Sequence, residues 1–306
     1  MNTVIAQRSV RAGSAARLWH LRFIAPMLIT LFIMGVIPAV YTAYLSVTAS
    51  DSDSLINREF VGFEPYIRLF ADGRFWHALG VQSLFVGGAV IAEIVIGIAI
   101  ALALNRNGRW MLIFRSVLLA PAVLPTVVVA LLFSYLLQSR VGAISYYAAQ
   151  LGLPTGWFDS GPSALAVLVG IDVWQFTPLV AILVLAGLQG VPAEFTEAAL
   201  IDGAGPVRRV FEIILPIIAP LIATVSLLRL IDAIQVFPTI YVLTGGGPGE
   251  STNALNFWGF TVFFQYRDTT YGSTIAVVLT LGTVFLASVL AFALRRQITP
   301  GKEGRA

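Results

Sequence analysis

An all-α integral membrane protein of about six transmembrane helices is the fold that three features of this sequence predict. Charge is scarce: 11% of the 306 residues are Asp, Glu, Lys or Arg and 58% are hydrophobic, against roughly 25% charged and 45–50% apolar in a soluble domain. Apolar runs recur at about the 20-residue length needed to cross a hydrocarbon core. Basic residues gather in alternate connecting segments, the asymmetry that orients multi-pass chains.

The apolar runs cover residues 23–47, 79–104, 117–137, 164–188, 219–243 and 273–294. They divide the chain into a basic tail (1–22), a membrane domain (23–294) and a short C-terminal tail (295–306). Pro26, Pro38, Pro121, Pro125 and Pro178 fall inside the runs. Such breakers are tolerated where neighbouring helices re-satisfy the backbone. Arg8, Arg11, Arg17 and Arg22 precede the first span. Arg106, Arg109 and Arg115 follow the second, Arg208 and Arg209 the fourth, and Arg295, Arg296, Lys302 and Arg305 the sixth. The other connectors hold only Arg58, Arg68, Arg74, Arg140 and Arg267. Both termini are therefore expected in the cytoplasm. The first run is too long for the core of a cleaved signal peptide and is read as an uncleaved anchor.

The external segment 48–78 mixes Asp51, Asp53, Glu59, Glu64 and Asp72 with Phe60, Phe63, Tyr66, Phe70, Phe75 and Trp76. That mixture fits a short amphipathic helix at the membrane interface, or equally a polar connector with anchoring aromatics. No internal repeat or low-complexity segment stands out.

Several chemistries lack their residues. There is no cysteine, and His20 and His77 are the only histidines, so thiolate chemistry is excluded and a histidine metal site is not expected. A nucleotide-binding P-loop needs a lysine on the phosphates. The sole lysine, Lys302, lies in the tail, and the glycine-rich run 245–252 ends in Ser251-Thr252 without one. No hydrolase motif is present. No catalytic residue, bound cofactor or metal is expected of this chain.

Charged residues inside spans are costly and mark interiors or wet cavities. Glu93, Asp172, Arg229 and Asp232 are such residues. Arg229 and Asp232 lie three apart on one helix face and are expected to pair, so that replacing both is milder than replacing one. A solute path lined by Asp172, Trp174, Gln175, Arg229, Asp232 and Gln235 is one reading, with Trp174 offering an aromatic face to stack on. The other is structural: Arg229 and Asp232 neutralise each other while Glu93 and Asp172 hold helices together.

Residues 191–220 read VPAEFTEAALIDGAGPVRRVFEIILPIIAP. Pro192 opens a helix whose first turns carry Glu194 and Glu197. Asp202-Gly203 breaks it, since glycine takes positive φ readily. A second short helix is expected from Pro206, with Val207, Val210, Phe211 and Ile214 on one face. The pair is too polar to span and too apolar to stand free in water, so a partner should cover it.

Glu197-Ala198-Ala199, Gly203, Ile213 and Leu215-Pro216, at these spacings, resemble the EAA loop of ABC importer permeases. Phe60-Val61-Gly62-Phe63, Phe75-Trp76, Trp174, Pro178, Leu185-Ala186-Gly187-Leu188-Gln189 and Tyr241-Val242-Leu243-Thr244-Gly245-Gly246-Gly247-Pro248 extend the resemblance to the carbohydrate-uptake branch, over residues 20–295. The branch includes glycerol 3-phosphate importers. The resemblance implies a multi-pass subunit of the bacterial cytoplasmic membrane, surrounded by lipid and without nucleic-acid partners. It implies a second homologous permease, two ATPase subunits that use ATP and Mg, and an external solute-binding protein. In that family the loop is a coupling helix, which assigns Glu197, Ala198, Ala199, Asp202, Gly203, Phe211, Ile213, Leu215 and Pro216 to ATPase coupling. The rival is an ion-coupled secondary transporter with Glu93, Asp172 and Asp232 as its ion site; it leaves 191–220 without a role.

Overall fold

The computed structural model describes residues 24–49, 58–105 and 108–298. The N-terminal tail, Asp51, Asp53, Arg106 and Lys302 lie outside them.

Five helices among the described residues are long and apolar enough to cross a bilayer. They are α1 (Ile24–Ser46), α3 (Gly73–Leu104), α8 (Gly161–Gln189), α10 (Pro206–Ile234) and α13 (Thr269–Ile298, apolar through Leu294). Between α1 and α3 lie a two-stranded antiparallel ribbon, β1 (Thr48–Ala49) with β2 (Glu59–Phe60), and the helix α2 (Glu64–Ala71). That short helix is one of the two readings open for the 48–78 segment. It buries Pro65 and Leu69 and leaves Ile67 and Phe70 exposed.

The third expected span, 117–137, is not one helix. It is divided into α4 (Arg109–Leu118), α5 (Ala120–Val123) and α6 (Thr126–Leu136). Pro125 accounts for the main break: a residue before proline is pushed out of the helical region, and Leu124 is extended at φ −71°, ψ 137°. The fifth span is also displaced from 219–243. Its helix begins at Pro206, inside the segment expected to form a separate short helix, and stops at Ile234. After a break at 235–237 the chain resumes as α11 (Pro238–Leu243). The backbone of α10 widens to a π-helical turn at Arg209–Ile214, just ahead of Pro216, whose ring displaces the carbonyl four residues earlier. The remaining short helices are α7 (Ala143–Gln150), α9 (Ala193–Ile201) and α12 (Leu255–Phe260). The last helix runs past 294 to Ile298, into the segment expected as tail.

Helices α3 and α8 form the central pair, with α10 packed on both. Two apolar layers stack along this trio. Near one end Ala101, Val180, Val184, Leu188, Ile218 and Val225 pack together. Nearer the other, Val86, Val90, Leu168, Ala233 and Ile240 do so. At that second end Arg58 joins α1 to the start of α13. Its guanidinium donates to the Thr48 carbonyl at 2.6 Å and to the Thr270 hydroxyl at 2.7 Å.

Gly97 lets α3 approach α8 closely: a Cβ there would lie 2.6 Å from Val180 Cγ1 and 3.3 Å from the Ala181 nitrogen. Overpacking a well-filled core costs about 1–3 kcal/mol. Gly97→Ala should therefore lower the unfolding midpoint in detergent, whereas Gly87→Ala, whose Cβ meets no atom within 4 Å, should not. Equal midpoints for the two variants would show that the pair can spread without loss.

Candidate solute path and coupling surface

Between the two apolar layers lies a charge cluster that joins all three central helices. Arg229 on α10 donates from Nε to Glu93 Oε2 at 2.7 Å and from Nη2 to Glu93 Oε1 at 2.9 Å, a bidentate pair with α3. Nη2 also reaches Asp172 Oδ2 on α8 at 3.0 Å, and Nη1 pairs with Asp232 one turn along α10. The guanidinium carbon lies 3.9 Å from the centre of the Phe176 ring. Glu93 is fully buried and Arg229 and Asp172 nearly so, while the Asp232 side chain is 58% exposed. The Arg229–Asp232 pair is therefore the outer edge of a larger cluster, and the two buried carboxylates are the principal partners. One guanidinium faces three carboxylates, so acidic groups outnumber basic ones.

Asp232 opens onto a cavity of about 220 Å³ lined by Asp172, Phe176, Gln235, Pro238, Thr126 and Thr239, among others. It forms where helices break: Thr126 begins α6 after the Leu124–Pro125 interruption, and Gln235 and Pro238 flank the gap between α10 and α11. A helix end leaves carbonyls without intrahelical partners, which is costly away from water. Amide side chains meet three of them. Gln175 Nε2 donates to the Leu124 carbonyl at 3.0 Å, Gln82 Nε2 to that of Ile234 at 2.5 Å, and Asn256 Nδ2 to that of Gln235 at 3.2 Å.

The structure thus brings Asp172, Asp232 and Gln235 to the cavity wall, with Arg229 behind them. Gln175 is almost wholly buried, with its amide engaged at the helix break. Trp174 does not line the cavity; it packs edge-on against Phe133 at 5.2 Å between ring centres. Phe176, two residues on, supplies the aromatic wall instead. Sequence reasoning missed Phe176, Gln82 and Asn256. A one-turn offset from Asp172 along a helix was the available signal for Phe176.

At the opposite end of the bundle, α9 and the start of α10 form the elbow. Ala199 is buried against the bundle, while Glu197 and Ala198 are exposed. Asp202 closes α9, and Gly203 turns the chain at φ +74°, letting the Ala204 amide donate to the Ala199 carbonyl at 2.9 Å. No atom crowds a Cβ at Gly203, so glycine is required there for its backbone angle alone. Phe195, Leu200, Ile201, Val207 and Phe211 are exposed around the elbow. Ile213 and Leu215 are half-buried, and Pro216 lines a groove with Phe211, Ala293 and Leu294. The C-terminal part of α13 therefore lies at the elbow end. The α1 end at Ser46 lies at the other, where its carbonyl accepts from the Thr274 hydroxyl.

A bundle of long apolar helices with a polar cavity at its helix breaks is the architecture of a multi-pass membrane protein. Residues 93–302 match the binding-protein-dependent transport system inner membrane component family, and the chain belongs to that family. It is 33% identical to the trehalose/maltose transport system permease protein MalF of Thermococcus litoralis, over 86% of this chain and 88% of that protein. It is 34% identical to the sulfoquinovosyl glycerol transport system permease protein SmoG of Agrobacterium fabrum, over 86% of each chain. A chain in the crystal structure of a bacterial alginate ABC transporter, in complex with its alginate pentasaccharide-bound periplasmic protein, shares the fold. The TM-score is 0.81 at 18% identity, covering 94% of this chain and 98% of that one.

Arg229→Leu should strand Glu93 and Asp172 without their countercharge, a loss of about 3–5 kcal/mol. Adding Asp232→Leu should not restore stability, contrary to what the Arg229–Asp232 pair alone predicts, because the stranded groups are on α3 and α8. Asp232→Asn, at the exposed edge, should change stability by no more than ~1 kcal/mol. Thermal midpoints in lipid nanodiscs decide this; a double variant as stable as the parent would reduce the cluster to one helical pair.

Proposed function

We propose that this chain is a permease subunit of an ATP-driven, binding-protein-dependent importer that conducts a neutral sugar or oligosaccharide into the cytoplasm by alternating access. The observation that carries this reading is the elbow: an exposed apolar surface set on a glycine turn and continuous, through α10, with the polar cavity. A surface of that composition calls for a protein partner, and family membership makes an ATPase subunit the fitting one. The ion-gradient alternative gives the elbow no such partner.

In this mechanism an external binding protein delivers solute at the end of the bundle away from the elbow. Closure of two ATPase subunits around ATP and Mg draws this elbow and that of a second permease together. The central helices then open outward, and hydrolysis returns them inward. The chain contributes conformational change and no bond chemistry. The elbow end, with the C-terminal end of α13 and the start of α1, faces the cytoplasm, in keeping with the arginine asymmetry.

The names of the relatives favour carbohydrate, and the cavity wall favours a neutral one. Asp172 and Asp232 line it and, among the described residues, no basic side chain does. A phosphate such as that of glycerol 3-phosphate would meet like charge there. Hydroxyl groups, in contrast, find acceptors in Asp232 and Gln235 and an apolar face in Phe176.

Two substitutions at the elbow test the coupling role. Gly203→Val forces a β-branched residue to positive φ, a strain of roughly 1–3 kcal/mol, and should tilt Val207 and Phe211 away from the motor. Glu197→Lys reverses the charge that α9 presents. Both variants should insert and pair with the second permease, yet fail to retain the ATPase on purification and lose solute-stimulated ATP turnover in proteoliposomes. Full stimulation by both would make 191–220 a simple connector.

A further inference from the structure

A second, larger polar cavity of about 350 Å³ lies at the end of the bundle opposite the elbow, and nothing above assigns it a role. Its floor is the glycine turn 245–247 together with Phe257 on α12. Gly246 adopts φ +88°, and a Cβ there would come within 3.0 Å of the Phe257 ring, so the turn lies directly on the aromatic face. Tyr241 stacks on Phe237 at 5.6 Å and presents an exposed ring to the cavity.

The polar groups at the rim are of mixed type. Arg74 contributes a guanidinium, and Asp72 holds it from behind through Oδ2 at 3.2 Å. Burial acts to raise the Asp72 carboxyl, but the Arg74 backbone amide and guanidinium and the Tyr271 hydroxyl outweigh it and hold Asp72 below the usual carboxylate range. Glu250 adds an acceptor, and Gln265 an amide. Asn253 also lines the cavity, although its Oδ1 is closed off from it and makes no hydrogen bond.

We propose that this cavity is an outer binding site for a neutral sugar ring. Hydroxyls that both donate and accept suit Glu250, Gln265 and Arg74 together, and the exposed Tyr241 ring suits the apolar face of a pyranose. The volume is at the lower end of the ~300–1,000 Å³ range of small-molecule sites, which fits one small ligand or the end of a longer one. The site also has a place on a path. Tyr241 lines it near the C-terminal end of α11, and Pro238 lines the inner cavity at the other end. Helix α11 is six residues long, about 9 Å at 1.5 Å per residue. A sugar bound outside is thus roughly one short step from the carboxylate-lined cavity. The role on the path rests on the import reading; the binding chemistry does not.

The absence of cysteine makes the test direct. The full chain with Tyr266→Cys, at the exposed rim, is labelled in membrane vesicles with an impermeant maleimide. Glucose, maltose, trehalose, glycerol and glycerol 3-phosphate are offered as protectants. At ~10 mM, a sugar bound with Kd near ~1 mM should slow labelling about tenfold. Glycerol and glycerol 3-phosphate should not protect. Tyr241→Leu, and independently Glu250→Gln, should abolish protection while leaving the unprotected rate unchanged. Equal labelling with every compound overturns the site. Protection by a purified solute-binding protein without sugar, and by none of the sugars, overturns it in favour of a docking surface. Labelling needs neither ATP nor the motor, so sugar protection in a chain that fails the coupling test would retain this site and reject the import mechanism.

Discussion

The three central helices depend on one guanidinium. Carrying charge into the middle of a helical bundle is unfavourable unless each ion finds partners of good geometry. Arg229 meets that condition because a planar fork can engage one carboxylate with two bonds and still donate to a second. Glu93 takes the bidentate pair, Asp172 the shared nitrogen, and Asp232 the remaining edge. A lysine at 229 would offer a point charge without that division. The apolar layers on either side fix the axial position of the cluster, and the cluster in turn fixes the rotation of α10 against α3 and α8, since its bonds are directional where apolar packing is not.

A second constraint shapes what surrounds the cluster. In a membrane, irregular backbone persists only where protein or a wet cavity satisfies its polar groups. Here the breaks at 124–125 and 235–237 converge from different parts of the chain, and three amide side chains accommodate their freed carbonyls. The inner cavity is the space that results. Its polar character follows from helix termination as much as from its acidic side chains, and α11, held between the break and the glycine turn, carries lining residues of both cavities.

The long apolar runs made the five long helices legible in the sequence, because length and hydropathy are sufficient to specify a helix able to cross lipid. Composition could not reveal that 117–137 would divide, since Pro121 and Pro125 are compatible with either a kink or a break and tertiary contacts decide between them. Nor did it reveal that the helix from Pro206 would continue unbroken into the fifth span. At the site, the Arg229–Asp232 relation was visible because it is local. Glu93 lies 136 residues from Arg229, so its place beside that guanidinium depends on the packing of α3 on α10. Trp174 and Gln175 were suggested by residue type; on a helix, adjacent residues point in different directions, and it is Asp172 and Phe176, one turn apart, that share the cavity face. The turn was the most legible part of the elbow, because a glycine at positive φ closing α9 is a local requirement, and Gly203 meets it.

The elbow and the cavity are two ends of one helix. Helix α10 is 29 residues long, about 43 Å at 1.5 Å per residue, and extends from Pro206 beside the glycine turn to Ile234 at the edge of the cavity. A helix of that length packed in a core moves largely as a unit, so a tilt at its elbow end displaces Arg229 and Asp232 relative to α3 and α8. The two acidic partners respond differently. Glu93 and Asp172 belong to other helices and resist the displacement, whereas Asp232 travels with Arg229 on the same helix. The π-helical turn at Arg209–Ile214 lies between the elbow and the cluster, and Pro220 interrupts the hydrogen-bond ladder again further along the same stretch. Bending there lets small shifts of the elbow be absorbed before the buried ion pairs are disturbed. A displacement that the turn does not take up would pass along α10 to Arg229 and Asp232 at the cavity wall.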